Sequence, residues 1–284
     1  MTVFLEYAAR GRNAWWRYAA CVVLALGLTI LLGLAVVSVL TVADVLPDDF
    51  ETRIIDPSEP IAFFLANGVL FGLLIAGLAV AARLIHAKRF TDLLGAWRWP
   101  VFWRGLAVWL VVLVAAVLID FAIAPQGFRV SADGRTAALV AVALPALAVQ
   151  TFAEEFVFRG YVTQGLLLAT RRVVPAALIS GLLFGALHIP NGTPQAVSAT
   201  AFGIVMAFIA IRTGSIAFTS GLHLANNAFG AIVVVSGGDV FRNTPGLFTQ
   251  TTPHLMWWDT AVGVVGLVAV AVLVGRGRGA ASGA

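Results

Sequence analysis

Two adjacent carboxylates, Glu154 and Glu155, and one guanidinium, Arg159, interrupt a stretch that otherwise carries no charge from Thr136 to Thr170. Charged side chains at membrane depth cost about 3 kcal/mol each, so they mark function by default. On a helix, Glu155 and Arg159 stand four residues apart and share a face, which is the spacing of an intrahelical ion pair. Glu154 is rotated about 100° from that face and needs a partner from another helix. Three candidates exist: His188, His223 and Asn227. His223 and Asn227 are also four residues apart, so they point the same way. At about 1.5 Å per residue, Glu154 lies about 25 Å from Arg171, His188 about 24 Å from Arg172, and Asn227 about 22 Å and His223 about 16 Å from Arg212. Polar groups on three helices therefore fall in one layer. A Glu beside a His can hold and deprotonate a water. His and Asn on one helix face can donate to an oxyanion. Together these are the parts of a hydrolase acting on an acyl bond. Two His and two Glu also suit zinc or manganese. Against a metal stand the lack of a His-Glu-x-x-His motif and the poor fit of Asn to zinc. Ser180 and Ser220 lie near the histidines in sequence, but neither sits in a Gly-x-Ser-x-Gly elbow.

The elements that must position these groups are helices in lipid. The 284 residues are 60% hydrophobic and 11% charged, with a mean hydropathy of +0.95. Soluble domains carry about 25% charged residues. Eight apolar runs follow one another: Trp15–Val42, Ile61–Ile85, Val101–Ala124, Ala137–Ala169, Val173–His188, Ala196–Ile211, Ile216–Val235 and Met256–Val274. The fold class is all-α, a polytopic membrane bundle of about eight helices. It forms a single integral membrane domain over 1–284, with the catalytic core helices in 137–235. Basic residues alternate with the spans. Arg10, Arg12, Arg17, the loop from Arg83 to Arg104, Arg171, Arg172, Arg212, Arg276 and Arg278 fall on one side. The first loop, with Asp44, Asp48, Asp49, Glu51, Asp56 and Glu59, falls on the other, as does the last, with Asp239. By the positive-inside rule both termini are cytoplasmic. The first run is too long for a signal peptide's core of about 7–15 residues, so it reads as a retained helix. The net charge of +4 is spread over loop ends and gathered on no face, which excludes a nucleic-acid partner.

Smaller features have bland readings. Cys21 is a lone thiol in an apolar run and can form neither an internal disulfide nor a cysteine metal site. Trp15, Trp16, Trp97, Trp99, Trp103, Trp257 and Trp258 fall near span ends, where indoles prefer the headgroups. Gly68-xxx-Gly72 and Gly181-xxx-Gly185 let helices approach closely. Asn191-Gly192-Thr193 marks a turn after Pro190. Pro145 is expected to break or kink the fourth run, which leaves Ala146–Ala169 to cross. His86 and His254 fall in loops.

Three motifs resemble the type II CAAX prenyl endopeptidases, also called the CPBP or Abi family of intramembrane proteases. They are Glu154-Glu155-Phe156-Val157-Phe158-Arg159, Phe184-Gly185-Ala186-Leu187-His188 and His223-Leu224-Ala225-Asn226-Asn227, in family order across Gln150 to Gly230. The resemblance implies an eight-helix membrane endopeptidase. In it Glu154 and His188 activate water, His223 and Asn227 stabilise the oxyanion, and Glu155 and Arg159 support the site. It implies no obligatory cofactor and no metal, with zinc as the alternative. It implies a membrane-associated protein or peptide substrate, lipidated or not, in a lipid bilayer. The family's known substrates arrive from the cytosolic side, whereas the depth estimate puts Glu154 in the other half. The predominance of Arg over the single Lys88 points to a GC-rich bacterium and its cytoplasmic membrane. Two readings compete. One is a silent membrane protein of the same fold, serving immunity or partner binding. The other is a proton-coupled transporter, which would carry inverted repeats that the sequence lacks.

Overall fold

Long apolar helices dominate the computed structural model, which describes residues 2–55, 59–237, 240–242, 244, 246–252 and 255–276. Helix α1 (Val3–Ala9) precedes α2 (Trp15–Val42). A one-turn α3 (Phe50–Arg53) leads to α4 (Pro60–Ala81), whose last turn, Ala82–His86, is a π-helix. Helix α5 (Phe90–Leu94) is short, and α6 (Trp99–Ile123) is long. Helix α7 (Thr136–Glu155) passes through a π-helical segment, Phe156–Thr163, into α8 (Gln164–Thr170). Then come α9 (Val173–Ala186), α10 (Thr193–Thr213), α11 (Ala217–Ala228) with a π turn at Phe229–Val233, and α12 (Leu255–Arg276).

Six of these stretches are long and apolar enough to cross a bilayer: Trp15–Val42, Pro60–His86, Trp99–Ile123, Thr136–Thr170, Thr193–Thr213 and Trp257–Val274. The protein is an all-α polytopic membrane bundle. The remaining two apolar runs are helical but shorter, with 14 residues in α9 and 12 in α11. Leu31, Val111, Leu118, Val265 and Leu273 point outward from the long helices. In water such a surface would aggregate; among acyl chains it costs nothing.

Pro145 breaks nothing. The helix runs unbroken from Thr136 to Thr170, 35 residues in all. Proline removes only one donor, to the carbonyl four residues back, and such gaps are tolerated inside membrane helices where neighbours cover the backbone. Helix α4 covers it here. Gly68 of α4 lies against Ala146, and a Cβ on Gly68 would stand 3.2 Å from that of Ala146. On the other side of the molecule α9 and α10 are nearly in backbone contact. A Cβ on Gly181 or Gly185 would collide with Ile204 or Thr200, so this small-residue pair serves packing. The turn between α9 and α10 is a 3-10 segment, Ile189–Asn191, closed by Gly192 at φ +100°.

The two ends of the bundle differ. At the arginine-rich end α1 and α5 form a plug. Arg10 pairs with Asp92 at 2.8 Å. Lys88 is buried and donates to the Ala8 carbonyl at 2.6 Å; burial pushes its ammonium down to about 8. The amide of Gln164 donates to the carbonyls of Asp92 and Leu93 at 2.9 and 3.3 Å. His86, expected in an unremarkable loop, is instead fully buried in the π turn. Its Nδ1 is hydrogen-bonded to the Arg12 carbonyl at 2.7 Å, and its Nε2 lies 3.0 Å from the Tyr161 hydroxyl, which donates to the Tyr18 carbonyl at 3.2 Å. It thus ties the N-terminal segment to the glutamate-bearing helix. At the opposite end a small sheet of order β1-β3-β2 joins β1 (Phe128–Val130) antiparallel to β3 (Phe248–Gln250), which pairs in parallel with β2 (Val234–Ser236). Asp56, Asp239, His254 and Arg278 lie outside the described residues.

Candidate active site

The glutamates end the α-helical part of the fourth span. Glu155 is the last residue of α7, and the π-helical backbone begins at Phe156. Such segments widen a helix by one residue per turn and often mark functional sites. Side chains pin this one. Thr163 donates to the Phe158 carbonyl five residues back at 2.8 Å, and is itself 2.8 Å from the Ser180 hydroxyl of α9.

Glu155 and Arg159 are both fully buried. Arg159 Nη1 stands 2.9 Å from Glu155 Oε1. The approach is close but oblique, and no guanidinium nitrogen makes a well-angled hydrogen bond among the described residues. The pair is held by charge more than by direction. The guanidinium carbon also lies 4.5 Å from the centre of the Phe184 ring, a cation–π contact. Glu155 Oε1 meets a second donor, His223 Nδ1, at 2.9 Å. An ionised carboxylate only accepts, so Nδ1 carries the hydrogen. The imidazole is wedged against Phe202 and Phe184, at 5.1 and 6.1 Å between ring centres.

Glu154 points elsewhere. Its side chain is 13% exposed. Oε1 accepts from the Gln150 amide at 3.2 Å, and Oε2 lies 3.6 Å from His223 Nε2. That gap is longer than a direct hydrogen bond. His223 therefore stands between two carboxylates. His188, at the end of α9, donates Nδ1–H to the Phe184 carbonyl at 2.8 Å, which leaves Nε2 as an acceptor. It makes no ion pair with Glu154. The imidazole nearest that carboxylate belongs to His223 rather than to His188, the partner expected from sequence.

Asn227 is oriented by a relay that the sequence reading missed. The Trp109 indole can only donate, and it donates to Asn226 Oδ1 at 3.1 Å. Asn226 Nδ2 then faces Asn227 Oδ1 at 3.2 Å. The oxygen of Asn227 is taken, so its NH2 is the group left to donate. Two signals were present in the sequence. Trp109 lies mid-span, away from the interfacial tryptophans, where an indole N–H needs an acceptor; and Asn226 adjoins Asn227. Gln150, also missed, precedes Glu154 by one turn. Trp109→Phe should keep the fold, since the ring is replaced by a ring, yet free both amides to rotate. We expect kcat on any cleaved substrate to fall about 10-fold or more, with KM little changed. Steady-state kinetics on the purified variant check this.

Residues 136–229, the stretch that holds all of these groups, match the model of the type II CAAX prenyl endopeptidase Rce1-like family. The chain is also 30% identical over 262 residues to the uncharacterized protein YyaK of Bacillus subtilis strain 168, covering 87% of each. The chain belongs to the Rce1-like family. That family is one of membrane proteases, and this member is an integral membrane protein. No solved structure matches it.

In this Rce1-like chain Glu154, His188, His223 and Asn227 all line one cavity of about 710 Å³. Leu74, Trp109, Phe158 and Phe202 form its inner wall. Phe128 of β1, Ser236 of β2 and Gln250 of β3 line it from the sheet end, and its exposed polar lining residues, Asn191 and Asp259, lie there too. Among the described residues, none from α1, α5 or the arginine-rich loops lines it. The cavity thus reaches the sheet end, where its exposed polar residues lie. The donors fit zinc poorly. Among the described residues no three His, Cys, Asp or Glu side chains converge as a metal site requires. Glu155 already faces Arg159, whose charge would repel a cation placed there.

Proposed function

We propose that this protein is an intramembrane endopeptidase of the CAAX prenyl protease type, with its catalytic core in 137–235. The reading rests on one observation: Glu154, His188, His223 and Asn227 reach a single cavity from three helices. Glu154 and the free Nε2 of His188 hold a water by its two hydrogens. Glu154 takes one proton as the oxygen attacks the scissile carbonyl. The oxyanion that forms accepts from the NH2 of Asn227, oriented before substrate arrives, and from His223 Nε2 when the imidazole enters the step as imidazolium. Glu154 then returns its proton to the leaving amine. Glu155 and Arg159 touch no substrate; they hold His223 and the helix. No metal is required, because the arginine supplies the positive charge beside the carboxylates.

Substrate enters by the sheet end. With the arginine-rich end cytoplasmic, as the charge asymmetry implies, the mouth faces away from the cytoplasm. The substrate is then a membrane-associated peptide segment exposed on that face, and the apolar inner wall leaves room for a lipid chain. The test is purified protein in oriented vesicles, supplied with impermeant lipidated and unlipidated peptides, with products read by mass spectrometry. Cleavage by vesicles exposing the mouth, undiminished after exhaustive chelation, is expected. Cleavage restored only by zinc would overturn the metal-free mechanism. Cleavage only from the arginine-rich side would overturn the direction of entry.

A further inference from the structure

Asp120 has no structural reason to be where it is. It lies in the last turn of α6, a helix of 25 residues, where the dipole already presents its negative end. A carboxylate there is repelled rather than held. It is 7% exposed. Its Oδ1 has no hydrogen-bond partner, and it forms no ion pair among the described residues. Burying an unpaired carboxylate is costly and in membrane proteins marks a ligand or substrate path. Asp120 lines the same cavity as Glu154, near the sheet end.

The rest of the cavity sets the sign of the missing partner. Among the described residues, no Arg or Lys lines it. Of the acidic residues that line it, Glu154 has His223 beside it, whereas Asp120 faces no cation among the described residues. A peptide that enters meets Asp120 in a low-dielectric wall, where a positive group is favoured and a carboxylate is repelled. The mouth also holds an unpartnered donor, the Nε2 of Gln250, which is buried and lines the cavity. It suits a backbone carbonyl of the same peptide.

We infer that Asp120 is a specificity subsite that binds a lysine or arginine side chain of the substrate. The inference rests on the protease reading for its substrate, but the binding step does not need catalysis. A charged hydrogen bond at a buried carboxylate is expected to discriminate by about 10- to 100-fold.

The experiment uses a positional-scanning library of acylated fluorescent nonapeptides carrying Lys, norleucine or Glu at each position. Cleavage is measured with the wild-type protein, and binding is measured by fluorescence polarisation with Glu154→Gln. At one position both should prefer Lys over norleucine by about 10-fold or more, and both should disfavour Glu. Asp120→Asn should erase the preference in each background, Asp120→Glu should retain it, and Asp120→Lys should reverse it towards Glu. No preference for a basic residue, or one that survives Asp120→Asn in a folded protein, would overturn the inference. Binding that shows the Asp120-dependent preference without any cleavage would sustain the subsite and sink the protease reading.

Discussion

Glu154→Gln should give a folded protein that cleaves nothing measurable. The substitution keeps volume and shape, and the amide can still meet Gln150 and face His223. What it removes is the one carboxylate of the pair with an exposed edge on the cavity. A positioned general base contributes about 10²- to 10⁴-fold, so activity should fall by at least about 100-fold. Stability should move the other way or not at all. Glu154 adjoins Glu155, and His223 has a better partner in Glu155, at 2.9 Å against 3.6 Å. Neutralising one of two neighbouring carboxylates relieves repulsion, a familiar exchange of function for stability. The thermal midpoint in detergent should equal or exceed that of the wild type. Retention of a tenth of the wild-type rate would remove Glu154 from the role of base. His188→Ala should lose activity less completely, because His188 orients the water and Glu154 takes the proton.

The class of fold was legible because lipid imposes a simple rule. Runs such as Trp15–Val42 can only be helices where no water satisfies the backbone. The layer of polar groups was legible too, since depth follows from a fixed rise per residue, and Glu154, His188, His223 and Asn227 do line one cavity. Lateral contacts were not legible. Helical spacing said that Glu155 and Arg159 share a face, but not that His223 would insert between both glutamates. That depends on the packing of α11 against α7. The π-helix at Phe156–Thr163 has no sequence signature; it arises where Thr163 and Ser180 capture the Phe158 carbonyl. Pro145 does not end the helix, which stays continuous through it, because neighbouring helices cover the backbone there. His86 was passed over because its residue type at a span end resembles any loop histidine, and only the fold brings Tyr161 and Arg12 to it.

Arg159→Ala should cost stability and activity together, which separates its role from that of Glu154. Truncation leaves Glu155 fully buried with a charge that only His223 can answer. Breaking a buried pair by removing one partner costs about 3–5 kcal/mol, because the other charge stays behind. The loss of the stacked contact with Phe184 adds to it. Much of a membrane protein's margin is of that size, so the variant should unfold at markedly lower temperature or denaturant. Arg159→Lys should recover part of the loss, since an ammonium supplies the charge but neither the planar stack nor the reach of the guanidinium. The decisive comparison is the double change Glu155→Gln with Arg159→Met. It leaves no unpaired charge and fills most of the volume, so it should be more stable than Arg159→Ala alone. It should nevertheless stay inactive, because His223 loses the carboxylate that fixes its Nδ1–H. Unfolding curves and cleavage rates for the three proteins separate the effects. If Arg159→Ala unfolds at the wild-type midpoint, the ion pair does not hold the helix. If the double variant is both stable and active, Glu155 does not orient the histidine.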